Sequence, residues 1–397
     1  MKTFPRALGL LRSGNDLWQA LRLPAKTIGS NREHVQAACE WLLHAQAIAG
    51  GGGYAHSYNL YLGWQPPYPE TTGYIIPSLL SAARYLRDER YHDSAIRAGE
   101  WLIGIQQEDG AFLDLNGQRQ VFDTGQILEG LLALYRETAR STYLHSATRA
   151  GEFLVAVQDS GGSWTRCAYN GLPHTYYTRV AANLLKLWKE TDRVEYRRAA
   201  ERAIGWTVRQ QMSNGYFAYM AFGEGELPYL HTIIYVLEGL FEATRIHHDP
   251  EVRAALLRTV NALYAASSRD DGVLCSRYDS NWQAHGGDRC LVGLAQWAGL
   301  LFDLADAEDK PAWSALGRRV VDYLKRRQVR AGRGNMHGAI PGSDPLWGSY
   351  CKFAFTNWTV KFFIDAVLKA EGVFRKHGGA ADAVSLASRV GGEDGDT

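Results

Sequence analysis

The feature that most constrains this chain is a repeat. AACEWLLHAQ (37–46), RAGEWLIGIQ (97–106), RAGEFLVAVQ (149–158) and RAIGWTVRQQ (202–211) share one pattern of small, apolar and charged positions running into glutamine. With Gln46, Gln106, Gln158 and Gln210 aligned, the copies stand 60, 52 and 52 residues apart. Two weaker copies follow, LLRTVNALYAASSRDDG near residue 268 and LGRRVVDYLKRRQ ending at Gln328. Such a period marks a supersecondary unit that cannot bury its apolar face alone and stacks on its neighbours.

Every unit has the same anatomy. A helix-period segment with Glu, Arg and Lys on one face ends in a glycine-rich loop such as AGGGGYAH, QEDGAFLD or QDSGGSWT. A second helix follows, as in TTGYIIPSLLSAARYL, DTGQILEGLLALYRET and HTIIYVLEGLFEATRI, and it is apolar over most of its circumference. That distribution predicts an outer helix and a buried inner one. Six such hairpins predict an all-α protein, a closed (α/α)6 toroid with a bowl-shaped central cavity. The expected divisions are an N-terminal arm at 1–30, the toroid at 31–371 and a flexible tail at 372–397, whose stretch GGAADAVSLASRVGGEDGDT lacks periodicity and aromatic residues.

Composition narrows the partners. Lys and Arg number 43 against 42 Asp and Glu, so no basic field favours nucleic acid. No apolar run reaches the roughly 18 residues of a membrane span, and the N-terminal apolar stretch is too short for a secretory signal. The five cysteines are odd in number and form no CxxC pair, so neither a disulfide framework nor a thiolate zinc site is signalled. A cytoplasmic protein without cofactor or metal is expected. His231, Asp288 and Cys290 could be drawn as a metal set, but they lack local ligand spacing. The 12 Trp and 21 Tyr are heavy usage, and aromatic faces pave sugar-binding clefts as well as cores.

Inner-helix starts should line the bottom of the bowl. Aligning IIPSLL, ILEGLL and VLEGLF puts Thr71, Asp123 and Thr232 in register, and those three are N-cap types. The same alignment matches Glu70 with Phe122 and His231, and Tyr74 with Gln126 and Tyr235. Capping accounts for neither Glu70 nor His174 and His231, which arrive just before helices, nor for Tyr176, Tyr177 and Arg179 in TYYTR. On the loops, Tyr54, Trp64, Tyr68 and Trp164 offer stacking faces, and HGGDRC supplies Asp288 and Arg289. His247 and His248 follow an inner helix and fall on the far rim.

PETTGYIIPSLL, FDTGQILEGLL, PHTYYTRVAANLL, LHTIIYVLEGL and NWTVKFF resemble the bacterial VpsJ-like polysaccharide biosynthesis proteins over roughly 35–370. More broadly, the repeat region resembles the six-hairpin superfamily of carbohydrate-active enzymes, which holds glycosidases, polysaccharide lyases and uronyl epimerases. These resemblances imply a role in exopolysaccharide production and an oligosaccharide or polysaccharide substrate, free or lipid-linked. A weaker similarity links QQEDG and QDSGGSW to the terpenoid cyclase and prenyltransferase toroids, but the DxDD and DDxxD motifs of that chemistry are missing.

Glycoside hydrolysis is the primary expectation. Glu70 would be the acid, its pKa raised by aromatic neighbours, and Asp123 the base. Helices packed about 8–10 Å apart suit the wider carboxyl spacing of an inverting enzyme. Two alternatives stay open: a uronyl lyase or C5-epimerase using His174 or His231 with Tyr177 or Tyr235 while Arg179 holds the carboxylate, and a non-catalytic glycan-binding protein.

Overall fold

The computed structural model describes residues 25, 27–267, 272–330 and 334–373. Most of the expected arm and nearly all of the expected tail lie outside these. Among the described residues, twelve α-helices alternate between two shells: α1 (Asn31–Ile48), α2 (Pro69–Leu86), α3 (Glu89–Ile105), α4 (Val121–Thr138), α5 (Ser141–Ala156), α6 (Thr178–Thr191), α7 (Val194–Arg209), α8 (Leu230–Ile246), α9 (Pro250–Ser267), α10 (Leu291–Ala307), α11 (Pro311–Lys325) and α12 (Asn357–Ala370). The even-numbered helices form the inner ring. Each packs on the inner helix before and after it, and α12 packs on α2. The fold is the (α/α)6 toroid expected from the repeat.

The two shells follow from their sequences. In α10 every residue from Leu291 to Phe302 is buried, whereas α3 buries only Tyr91, Ser94, Ala95, Ala98, Gly99 and Leu102 along one stripe. The glycine of the RAGE motif marks close approach. A Cβ at Gly99 would stand 2.1 Å from Leu134 of α4, and one at Gly151 would stand 2.3 Å from Leu187 of α6.

The repeated glutamine is a staple between units. Gln46 Nε2 donates to Gly52 O (2.7 Å) in its own loop and to Ser94 O (3.0 Å) on the next outer helix. Gln106 does the same to Gly110 and Ser146, and Gln158 to Gly162 and Ala199. In the fourth copy the contact shifts by one residue: Gln211 reaches Ala255 O (2.7 Å), while Gln210 folds back on Trp206 O. Gln328 donates to Gly338 O (2.8 Å) and to His34 O (3.0 Å) of α1. The last outer helix is thereby fastened to the first, by the same device that joins its predecessors.

Links from inner to outer helices are short, and those from outer to inner are long, so the long loops gather at one end of the ring. Short antiparallel strands tie them together: β1 (Ser57–Asn59), β2 (Gly63–Trp64), β3 (Arg277–Tyr278), β4 (Ala284–His285), β5 (Arg289–Cys290), β6 (Ser343–Asp344) and β7 (Ala354–Thr356). β1 pairs with β2 and with β7 (Ser57 opposite Thr356), joining the first loop to the last, and β5 pairs with β6.

The expected caps are not caps. Helices α2, α4 and α8 start at Pro69, Val121 and Leu230, so Thr71, Asp123 and Thr232 lie inside the first turn, and no side chain caps these helices. In α2 a proline opens the helix, where the missing N–H costs nothing. The neighbouring threonines instead hold the loops: Thr72 Oγ1 accepts from Tyr54 N (3.1 Å) and Thr124 Oγ1 from Phe112 N (3.0 Å).

Candidate active site

The long-loop end encloses a cavity of about 290 Å³ lined by side chains from the inner-helix starts. Glu70 and Asp123 meet there because α2 and α4 cross backbone to backbone. A Cβ at Gly73 would lie 2.5 Å from Ile127 Cα, and one at Gly130 would lie 2.2 Å from Gly73 O. Asp123 is 4% exposed, and Glu70 is half-buried at the cavity wall. The Tyr68 hydroxyl donates to Asp123 Oδ2 at 2.9 Å.

Burial raises the pKa of both carboxyls above the ordinary range. For Glu70 the charge of Asp123 adds to burial, against partial relief from the Tyr68 hydroxyl and Arg179. For Asp123 burial again dominates, opposed by the hydrogen bond from Tyr68. Two close carboxyls in an apolar wall favour holding a proton between them. Tyr68 is itself driven upward by burial and by Asp123 and Glu70, so it remains a neutral donor.

Aromatic rings make up most of the wall: Tyr74, Phe122, Tyr176, Tyr235, Tyr350 and Trp358. Phe122 stacks on Tyr177 (5.6 Å, 25°) and meets Tyr176 and Tyr235 at 5.2 Å each. His231 lines the same cavity 4.3 Å from the Tyr235 ring. Burial pushes its pKa down to about 3, against a hydrogen bond to Gln296 Oε1 that works the other way, so the imidazole is neutral.

Of the residues singled out from the sequence, the structure brings Tyr68, Glu70, Thr71, Tyr74, Phe122, Asp123, Tyr176, His231 and Tyr235 to this cavity. The others stand behind its wall. Tyr54 is buried, its hydroxyl paired with Ser94 (2.8 Å). Trp64 packs on Trp41 and donates to Asn335, and Trp164 donates to Leu154 O. The Tyr177 hydroxyl accepts from Tyr169 N, and His174 Nε2 sits 2.9 Å from Tyr169 O. Asp288 fastens the loops by accepting from Ser276 and Ser349, and Arg289 contacts Cys275 Sγ. Arg179 lies below the floor, where its donors reach Gln126 (2.9 Å), Glu238 (2.5 Å) and Glu129 (3.0 Å).

Gln120, Phe222, Tyr350 and Trp358 complete the lining without having been singled out. Trp358 was within reach of the sequence. It is the second residue of α12, as Glu70, Phe122 and His231 are the second residues of α2, α4 and α8, so extending the alignment to NWTVKFF finds it. Tyr350 and Phe222 come from loops with no repeat register.

No known family matches the sequence, and no curated protein does. Solved structures match in shape. An unsaturated glucuronyl hydrolase specific for heparin superposes with a TM-score of 0.68 at 16% identity, over 87% of this chain and 98% of its own. The unsaturated glucuronyl hydrolase of Bacillus sp. GL1 gives 0.69 at 15%, over 87% and 98%. Cellobiose 2-epimerase from Bacillus thermoamylovorans gives 0.67 at 13%, over 85% and 98%. The likeness is one of fold. This toroid is thus shared with enzymes that act on carbohydrates, and at such identity no substrate is carried over with it. Among the described residues no helix is long and apolar enough to cross a membrane, and no three His, Cys, Asp or Glu side chains group as metal ligands.

Proposed function

We propose that the chain is a carbohydrate-processing enzyme that cleaves a glycosidic bond at the end of an uncharged oligosaccharide, using Glu70 and Asp123. The observation that carries this is buried Asp123, held by the Tyr68 hydroxyl, beside Glu70 in an aromatic cavity. Protonated Glu70 gives its proton to the leaving oxygen. Asp123 takes a proton from the water that attacks the anomeric carbon, so the new C–O bond forms as the glycosidic bond breaks. Aromatic faces stabilise the positive charge that develops on the sugar ring.

The cavity size suits a terminal glycosyl unit rather than an extended polymer, being at the lower end of ordinary small-ligand sites. The substrate is uncharged on this reading because, among the described residues, no Lys or Arg lines the cavity, and Arg179 is occupied by two glutamates. A uronate would add a further negative group beside Asp123. The sequence resemblance supports a role in exopolysaccharide production, on a free or lipid-linked glycan in the cytoplasm.

A second reading rests on His231, a neutral imidazole inside the same cavity. Acting as a base on an open-chain sugar, it would make the protein an epimerase. Proton NMR of the protein with matched neutral and uronic oligosaccharides in deuterated buffer separates the readings. New reducing-end anomeric signals from neutral substrates support hydrolysis; deuterium exchange at a ring carbon without cleavage supports the epimerase. Glu70→Gln should lower turnover by about 10²–10⁴-fold while glycan binding stays within a few-fold. Unchanged turnover would remove Glu70 as the acid.

A further inference from the structure

Beneath the carboxyl pair the ring axis is filled by charge. Arg179, Lys186 and Lys369 face Glu129, Glu238 and Asp303 around a second cavity of about 230 Å³. Burial opposes the Glu129 charge, but Lys186 and Arg179 outweigh it and hold its pKa low. Arg179 pairs with Glu238 at 2.5 Å and with Glu129 at 3.0 Å, and Lys186 pairs with Glu129 at 3.0 Å. Gln296 is one link between this ionic plug and the upper cavity.

His231 and Glu238 are seven residues apart on α8, two turns along the same face. Gln296 of α10 reaches across to both. Its Nε2 donates to Glu238 Oε2 at 3.1 Å, and its Oε1 stands 2.6 Å from His231 Nδ1. The orientation of that amide is dictated by its neighbours. Glu238 is the ion-pair partner of Arg179 and can only accept, so the Gln296 NH₂ must face it. The amide oxygen then faces His231, and because it too can only accept, Nδ1 must carry the hydrogen.

We propose that Gln296 and Glu238 are positioning residues that hold His231 as its Nδ1–H tautomer, making Nε2 the proton-accepting atom of the site. A flipped amide would set a carbonyl against the Glu238 carboxylate and require the hydrogen on Nε2. The charge of Arg179 thus fixes, through two hydrogen bonds, which nitrogen a sugar hydroxyl or C–H would meet. This deepens the reading of His231 given above, and its primary test involves no substrate.

The experiment is a long-range ¹H–¹⁵N correlation spectrum of the full-length chain labelled at histidine, with His231 assigned by the loss of its cross-peaks in His231→Gln. The expected pattern at neutral pH is the Nδ1–H tautomer: Nδ1 at the pyrrole-like position and Nε2 at the pyridine-like one. Gln296→Leu and Glu238→Gln should each shift this pattern toward the other tautomer. An Nε2–H pattern in the unmodified protein would overturn the proposal, as would an unchanged pattern in both variants. Should either variant fail to fold, the unmodified spectrum still decides the tautomer and the other variant its cause. A sugar that is bound but not turned over, with the tautomer as expected, would count against the epimerase reading and leave the positioning role standing.

Discussion

Replacing Tyr68 by Phe tests the carboxyl pair directly. The substitution keeps the ring and removes the hydroxyl that donates to Asp123 at 2.9 Å. A hydrogen bond to a charged group contributes about 1.5–3 kcal/mol, and one pKa unit corresponds to about 1.4 kcal/mol. If that bond favours ionised Asp123, its loss raises the Asp123 pKa, already lifted by burial, by roughly 1–2 units. Glu70 loses a neighbour that also relieves it, so its pKa moves the same way. Carboxyl carbon shifts followed by ¹³C NMR against pH report both midpoints, with no substrate needed. Stability gives an independent check. A carboxyl whose folded pKa lies above its unfolded value supports the fold at low pH, and that support fades as pH rises through the folded pKa. Tyr68→Phe should therefore melt close to the parent near pH 4 and fall behind it above neutrality. The gap should be of order 2 kcal/mol, or a few degrees in Tm. Midpoints that stay in place, or a melting difference independent of pH, would refute the hold of this hydroxyl on the carboxyl pair.

Two further outcomes test the scaffold. Gln328→Leu strands the carbonyls of His34 and Gly338 and should cost about 1–3 kcal/mol by denaturant unfolding, with protease sensitivity appearing first around α1. Arg179→Met leaves Glu129 and Glu238 buried without their shared cation. It should destabilise by about 3–5 kcal/mol, far more than a surface ion pair would, and adding Glu238→Gln should recover part of the loss.

The hairpin repeat was legible because period and burial share one cause. A unit that must bury an inner helix repeats its apolar pattern, so six copies specify a ring of six hairpins. The glutamines were legible as a mark but not as a device, since the partner of Gln46 is a backbone carbonyl 48 residues away that carries no side-chain signature. At the cavity, register did the work: Glu70, Phe122 and His231 hold the same helical position and face the same space. Arg179 shows where register falls short. It belongs to TYYTR at the site, but from the second position of α6 its guanidinium finds Glu129 and Glu238 beneath the floor. Those partners come from α4 and α8, and no local pattern announces them. Tyr54, Trp64 and Trp164 failed for a similar reason. A large aromatic residue on a loop looks the same in sequence whether it faces a ligand or anchors the loop to the helix behind it.

The staple from Gln328 to α1 changes what the chain's ends mean. In an open stack of hairpins the terminal units have one neighbour each, and they fray first. Here the first and last hairpins are joined both by that staple and by the β1–β7 pairing, so every hairpin has two neighbours. Detaching any one of them requires two interfaces to give way together. Duplication or loss of a unit, the usual way such arrays grow and shrink, would break the curvature that lets the circle meet itself. A ring of this kind is confined to its number, and its central chamber keeps one diameter while the loops around its mouth are free to vary.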